Sequence, residues 1–151
     1  MVSPQSIILR PMTVSDLAAV CAIEQQVQYA PWSEQLFSDS LERHGCTVAV
    51  YNQQIVGFLV VQLIVDEAHL LNIAVDPKQQ KQGIGRVLLD HAQQEAQAKK
   101  ANALFLEVRA SNQRAIQLYY MAGFNEVGVR KKYYPAAQGI EDAVIMALMM
   151  F

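Results

Sequence analysis

Apolar residues recur along the chain with two different periods, and the changes of period mark out its elements. Ile7-Ile8-Leu9-Arg10 is a short apolar run closed by Pro11, which predicts a strand. Thr13 stands at a helix N-cap position and Asp16 serves as its capping-box acid. Leu17, Val20, Cys21 and Val27 form the apolar stripe of the helix that follows. Pro31-Trp32-Ser33 opens a second short helix carrying Leu36, Phe37 and Leu41. Thr47 to Tyr51 reads as a strand, Asn52-Gln53-Gln54 as a turn, and Ile55 to Val65 as the returning arm of a hairpin. A further strand runs from His69 to Val75 and stops at Asp76-Pro77.

The loop from Lys78 to Arg86 leads into a long helix, whose apolar positions Ile84, Val87, Leu88 and Ala92 match the 3.6-residue period. Lys99-Lys100 suit the negative end of its dipole. Ala103 to Arg109 alternates, with Leu104, Leu106 and Val108 on one face and Phe105, Glu107 and Arg109 on the other. Ser111 or Asn112 caps the next helix, with Ala115, Ile116, Tyr119 and Ala122 inward and Gly123 as a left-handed C-cap. Phe124 to Val129 and Ala143 to Leu148 predict the last two strands, with Arg130-Lys131-Lys132-Tyr133-Tyr134-Pro135 as a basic, aromatic loop opening their connection. The strand-helix-strand unit from His69 to Arg109 implies a right-handed parallel crossover in an otherwise mixed sheet. The expectation is an α/β fold with about seven strands and four helices. Without internal repeat, linker or low-complexity stretch, residues 1–151 read as a single domain.

Composition narrows the classes. The chain has 151 residues, 52% of them hydrophobic and 17% charged. A chain of this size buries roughly 70% of its unfolded surface, which excludes a disordered chain, a coiled-coil rod or a disulfide-stapled miniprotein. The net charge of -2 argues against general nucleic-acid binding. Cys21 and Cys46 form no CxxC, and His44, His69 and His91 lie at no ligand interval, so no metal is expected. Free thiols suit a reducing compartment. The longest apolar run, Ile55 to Val65, is too short for a bilayer span, and Met1 to Ser6 lacks the basic flank and apolar core of a signal peptide. These features point to a cytoplasmic protein with no membrane partner. Charge is also split: residues 1–75 hold two basic against seven acidic side chains, and residues 76–151 hold ten against seven.

Gln80-Lys81-Gln82-Gly83-Ile84-Gly85-Arg86 lies between a predicted strand and a predicted helix. Helix N-termini carry unpaired N–H groups and a positive dipole end, and glycines let backbone approach a pyrophosphate. The loop lacks the Gly-Lys-Ser/Thr of a Walker A motif and the third glycine of the dinucleotide fingerprint. Glu107 is either ion-paired, for instance with Arg109, or poised for proton transfer; Tyr119 is either a core tyrosine or a proton donor. Together with an anion-binding loop they fit a reaction in which an amine loses a proton and a leaving group gains one. Trp32, Glu67, Tyr134 and Asp142 are candidates for the acceptor side, although each also reads as solvated or core-edge structure. Cys21 reads as packing, and Cys46 has only His44 near it in sequence.

Asn72-Ile73-Ala74-Val75-Asp76-Pro77 followed by Gln80-Lys81-Gln82-Gly83-Ile84-Gly85 resembles the acetyl-CoA motif of the GCN5-related N-acetyltransferase (GNAT) superfamily, Gln/Arg-x-x-Gly-x-Gly/Ala. The element order resembles that family over essentially the whole chain. Pro31-Trp32-Ser33, Leu106 to Asn112, Leu118-Tyr119, Gly123-Phe124, Tyr133-Tyr134-Pro135 and Glu141-Asp142-Ala143 further resemble the bacterial ribosomal-protein-alanine N-acetyltransferases. The loop reads Gln-Lys-Gln where Gln-Arg-Gln is common. The resemblance implies acetyl transfer from acetyl-CoA to the N-terminal alanine amine of a small-subunit ribosomal protein, with Glu107 as general base and Tyr119 as general acid. It also implies a cleft between splayed parallel strands. There Ile73, Ala74 and Val75 hold the pantetheine arm, Lys81, Gln82, Gly83, Ile84, Gly85 and Arg86 hold the pyrophosphate, and Asn112 contacts the cofactor. The rivals are a lysine, polyamine or small-molecule amine as acceptor, and a non-catalytic acetyl-CoA-binding module.

Overall fold

The structure, a computed structural model, describes residues 6–150. The sequence reading of Met1 to Gln5 lies outside the described residues. Strand β1 (Ile8–Pro11) leads through a 3-10 turn at Val14–Asp16 into helices α1 (Leu17–Val27) and α2 (Glu34–Arg43). The meander β2 (Gly45–Tyr51), β3 (Gln54–Ile64) and β4 (Glu67–Val75) follows. Helix α3 (Ile84–Ala98), strand β5 (Ala103–Arg109), helix α4 (Gln113–Met121) and the hairpin β6 (Asn125–Ala136) and β7 (Gly139–Met149) complete the chain. These seven strands form one sheet in the order β1-β2-β3-β4-β5-β7-β6. All neighbours are antiparallel except β4 and β5, the strands joined by the α3 crossover.

Each face of the sheet is covered. Leu88, Leu89, Ala92 and Ala96 of α3 and Tyr119 of α4 pack with Leu59, Leu70, Leu104 and Leu106. On the other face Leu17, Val20 and Ile23 of α1 and Phe37 of α2 pack with Val48, Phe58, Val60 and Ala74. Double coverage explains why β3 is buried without alternation from Val56 to Val61.

Local chemistry sets the element ends. The capping box forms as expected: the Thr13 N–H donates to Asp16 Oδ2 at 2.8 Å, and Arg10 grips both carboxylate oxygens at 2.7 and 2.9 Å. Asn112, rather than Ser111, caps α4 by accepting the Ala115 N–H at 3.2 Å. Gly123, at φ 103°, ends that helix as predicted.

Two expectations are corrected. Pro11 lies inside β1 rather than beyond it; β1 is an edge strand, where the missing N–H costs no ladder bond. Arg130 to Pro135 is strand, not loop. It belongs to β6, interrupted by a bulge where the register passes from Arg130↔Ala143 to Tyr134↔Glu141. As the other edge, β6 is mostly exposed and buries no regular face, so it lacks the alternation that marks a strand in sequence.

The join between β4 and β5 is short. It runs only from Glu67↔Ala103 to Leu70↔Leu106. Beyond it β4 stays paired with β3 as far as Val75↔Gly57, and β5 with β7 as far as Arg109↔Ala143. Leu71 to Val75 and Glu107 to Arg109 therefore border a gap in the sheet, with no ladder partner across it.

Candidate active site

Three adjoining hollows follow this gap. The first, of about 470 Å³, lies where β4 meets the start of α3 and is lined by Ile73, Ala74, Val75, Lys81, Gly83, Ile84, Gly85, Arg86 and Asn112. The structure thus brings together nine of the ten residues expected to hold the cofactor. Gln82 is outside this lining, and its side-chain amide donates to Gln79 at 3.3 Å. Gly83 caps α3 at φ 84°, and Lys81 also adopts a left-handed conformation at φ 65°. This turn leaves the first N–H groups of α3 facing out of the helix start. Arg114 joins the same lining, its guanidinium 3.1 Å from Gln80 Oε1. Sequence reasoning missed Arg114; its place in the first turn of α4, next to the capping Asn112, was the available signal.

The chemistry of the first hollow fits a CoA-type group. Helix-start N–H groups and three cationic side chains suit phosphates, and the open edges of β4 and β5 suit an amide-bearing arm. Gly85 adds a steric observation. A Cβ there would meet nothing nearer than Leu118 Cδ2 at 3.4 Å, so the protein's own packing does not demand glycine at this position.

The middle hollow, about 270 Å³, shares Ile73, Asn112 and Tyr119 with the first and adds Trp32, Glu107, Tyr134 and Glu24. Tyr119 is 6% exposed; burial, and secondarily Tyr134, pushes its phenol well above the ordinary tyrosine value. Glu107 Oε1 accepts from Arg130 Nε at 2.7 Å. Its ion-pair partner is therefore Arg130, not Arg109 two residues along the strand, and the Tyr133 hydroxyl also bonds to it. Arg109 instead donates to the Pro135 carbonyl at 2.6 Å and lies over the Tyr134 ring at 4.7 Å. Burial, then the Glu107 charge, pushes the Tyr134 phenol up to about 12.

The third hollow, about 560 Å³, opens from the middle one and carries Trp32, Glu67, Glu107, Arg130, Tyr133 and Tyr134. Three of the four expected acceptor-side residues thus meet there. Asp142 lines none of the three hollows. It accepts the Lys132 N–H at 2.9 Å and faces Lys131 at 3.5 Å, bonds that hold its carboxyl below the usual range and brace the β6 bulge. Glu141 binds the Ser111 hydroxyl at 2.9 Å, tying β7 to the start of α4.

Glu24 was absent from the sequence reading. It follows Val20 by four residues and precedes Val27 by three, so a carboxylate on the buried stripe of α1 was the signal that could have found it. Among the described residues no group of three or more His, Cys, Asp or Glu side chains is placed to hold a metal ion. No described helix is long and apolar enough to cross a membrane.

The model of the acetyltransferase (GNAT) family matches residues 13–124. The chain belongs to that family. The ribosomal protein bS18-alanine N-acetyltransferase of Salmonella typhimurium is 46% identical over 138 residues, covering 91% of this chain and 93% of that protein. A Haemophilus influenzae protein of the same name is 40% identical over 142 residues, covering 93% and 97%. The crystal structure of the Escherichia coli ribosomal-protein-S18-alanine N-acetyltransferase superposes with a TM-score of 0.89 at 44% identity, over 95% of this chain and 93% of that one. The mixed seven-stranded sheet with its four helices is thus the GNAT fold, and members of this family are acetyl-CoA-dependent acyltransferases.

Proposed function

We propose that this protein transfers acetyl from acetyl-CoA to the N-terminal alanine amine of a small-subunit ribosomal protein, by direct attack in a ternary complex. The single observation that carries the reading is the unladdered gap between β4 and β5, which has an anion-suited helix start at one side and Glu107 and Tyr119 in the adjoining hollow. The identity to bS18-alanine N-acetyltransferases over nearly the whole chain supports the choice of acceptor.

Acetyl-CoA supplies an electrophilic thioester and a thiol leaving group. An N–H at Ala74 or Val75, on the open edge of β4, stabilises the developing oxyanion; losing one such donor typically costs about 3 kcal/mol. An α-amine has a pKa of about 8, so at neutral pH roughly a tenth is already free base. Glu107 removes the proton as nitrogen attacks, directly or through water. The phenol of Tyr119, held protonated by burial, supplies the proton that the leaving sulfur needs. Direct attack is favoured over an acetyl-enzyme because burial raises both thiols, Cys46 to about 11. The reading carries with it a single domain over residues 1–151, a cytoplasmic setting and no metal.

Mass spectrometry of ribosomal proteins incubated with the enzyme and labelled acetyl-CoA tests the reading. Label on one alanine N-terminus is the expected result. Label confined to lysine side chains or small amines, or no transfer at all, overturns it.

A further inference from the structure

Glu24 is 1% exposed, yet only one of its carboxylate oxygens is used. Oε2 accepts from the Trp32 N–H at 3.0 Å and from Asn72 Nδ2 at 3.1 Å. These bonds fasten the segment between α1 and α2 to β4. Oε1 is buried, and no protein donor among the described residues reaches it. A buried acceptor left unpaired is costly, most of all on an ionisable group, so such an atom has room for one more donor, from water or from a ligand.

The side chain lines the middle hollow together with Glu107 and Tyr119. The other charged groups of that lining are already engaged: Glu107 with Arg130, and Arg109 with Pro135 and the face of Tyr134. Among the described residues no cation is paired with Glu24. We propose that Glu24 is a binding residue for the acceptor, its free Oε1 taking one N–H of the incoming α-ammonium. An ammonium offers three such donors. One rests on Glu24, and another faces Glu107, where that N–H bond breaks and an O–H bond forms as the nitrogen lone pair is freed for attack. Glu24 thereby sets the direction of the lone pair while Glu107 takes the proton. Burial raises the Glu24 carboxyl above the ordinary range, against the pull of the Trp32 and Asn72 donors, and an arriving cation relieves that cost.

This inference rests on the functional reading above. Glu24→Gln keeps the size of the side chain and an oxygen for Trp32 and Asn72, but turns an N–H group toward the position of Oε1. The affinities of an alanine-starting peptide and of its des-amino, propionyl-capped counterpart are measured with coenzyme A present, so that no turnover occurs. The wild type is expected to prefer the amine by about tenfold or more, as a charge-assisted hydrogen bond implies. Glu24→Gln is expected to lose that preference while binding coenzyme A as before. A variant that keeps the preference overturns the proposal, and so does one whose loss lies in coenzyme A binding. Equal affinity of the wild type for both peptides overturns it without any variant. A wild type that acetylates no alanine-starting peptide removes the functional reading and this inference together, whereas active wild type with unchanged discrimination in the variant removes the inference alone.

Discussion

At Glu107 a strand side chain points into the gap beside β4 and is held by the Arg130 guanidinium at 2.7 Å. The acceptor must compete for that carboxylate, so removing its charge alters turnover before it alters cofactor binding. Glu107→Gln is expected to lower kcat by about 10²- to 10⁴-fold with the acetyl-CoA dissociation constant unchanged. Tyr119→Phe is expected to lower kcat in the same way; steady-state kinetics alongside calorimetry with acetyl-CoA separate the two quantities. Undiminished turnover in both variants would remove the assigned roles. The placement of Glu107 and Tyr119 was legible, because strand alternation puts the first on the face opposite Leu104, Leu106 and Val108 and helical period turns the second inward. The Arg130 partner was not legible. It lies 23 positions away, on a strand that reaches β5 only across β7. Glu24 was readable in principle, as a charge on an apolar stripe, but only its burial with one unpaired oxygen gives it meaning.

Two elements carry predictions of opposite sign. Gly85 sits in the first turn of α3, where a methyl group would make only ordinary contact with Leu118. Gly85→Ala is expected to raise stability by about 0.4–1 kcal/mol, through a stiffer unfolded chain and better helix propensity. It is also expected to weaken acetyl-CoA binding, because the methyl group narrows the helix-start hollow. Thermal unfolding without ligand and titration with ligand should therefore move in opposite directions; unchanged affinity would remove the glycine from the cofactor site. Asp16 shows the contrary case, a structural carboxylate outside all three hollows. Arg10 and the Thr13 donors lower its pKa to about 2. The folded protein thus holds this proton less readily than the unfolded chain, whose aspartate titrates at about 4. The resulting stabilisation is complete above about pH 4 and is lost as the pH falls through about 2. Asp16→Asn is expected to cost about 1–3 kcal/mol at neutral pH, to flatten the acid limb of unfolding and to leave acetyl-CoA affinity unchanged. The capping box was plain in the sequence because Thr13 and Asp16 are three residues apart. The strand through Arg130 to Pro135 was hidden, since an exposed, bulged edge gives no periodic signal.

The whole sheet is built as two blocks, β1 to β4 and β5-β7-β6, which among the described residues share one ladder, the four-residue join from Glu67 to Leu70. The closed end of the wedge is fastened. The Asn102 N–H donates to the Asp66 carbonyl at 2.7 Å, its side chain reaches the Asp66 carboxylate at 2.8 Å, and His69 stacks on Phe105. At the open end the blocks are linked through side chains: Arg114 to Gln80, and Arg86 to the Met121 carbonyl at a loose 3.4 Å. The strand segments that frame the reaction hollow are therefore laddered on one side only, and strand amides without a second ladder open locally at lower cost than those paired on both sides. An acetyl-CoA arm laid in the gap would supply the missing partners to both blocks. Hydrogen exchange measured with and without acetyl-CoA should then slow at amides of Leu71 to Val75 and Glu107 to Arg109, and at the start of α3. The Gly57 to Val61 stretch, paired on both sides, should change little at concentrations where the gap amides exchange by local opening. Global stabilisation follows from mass action, about 2.7 kcal/mol at a hundredfold excess over the dissociation constant, and slows only those amides that need full unfolding. Protection confined to the surface of α3, with the gap amides unaffected, would mean that the ligand leaves the two blocks unbridged.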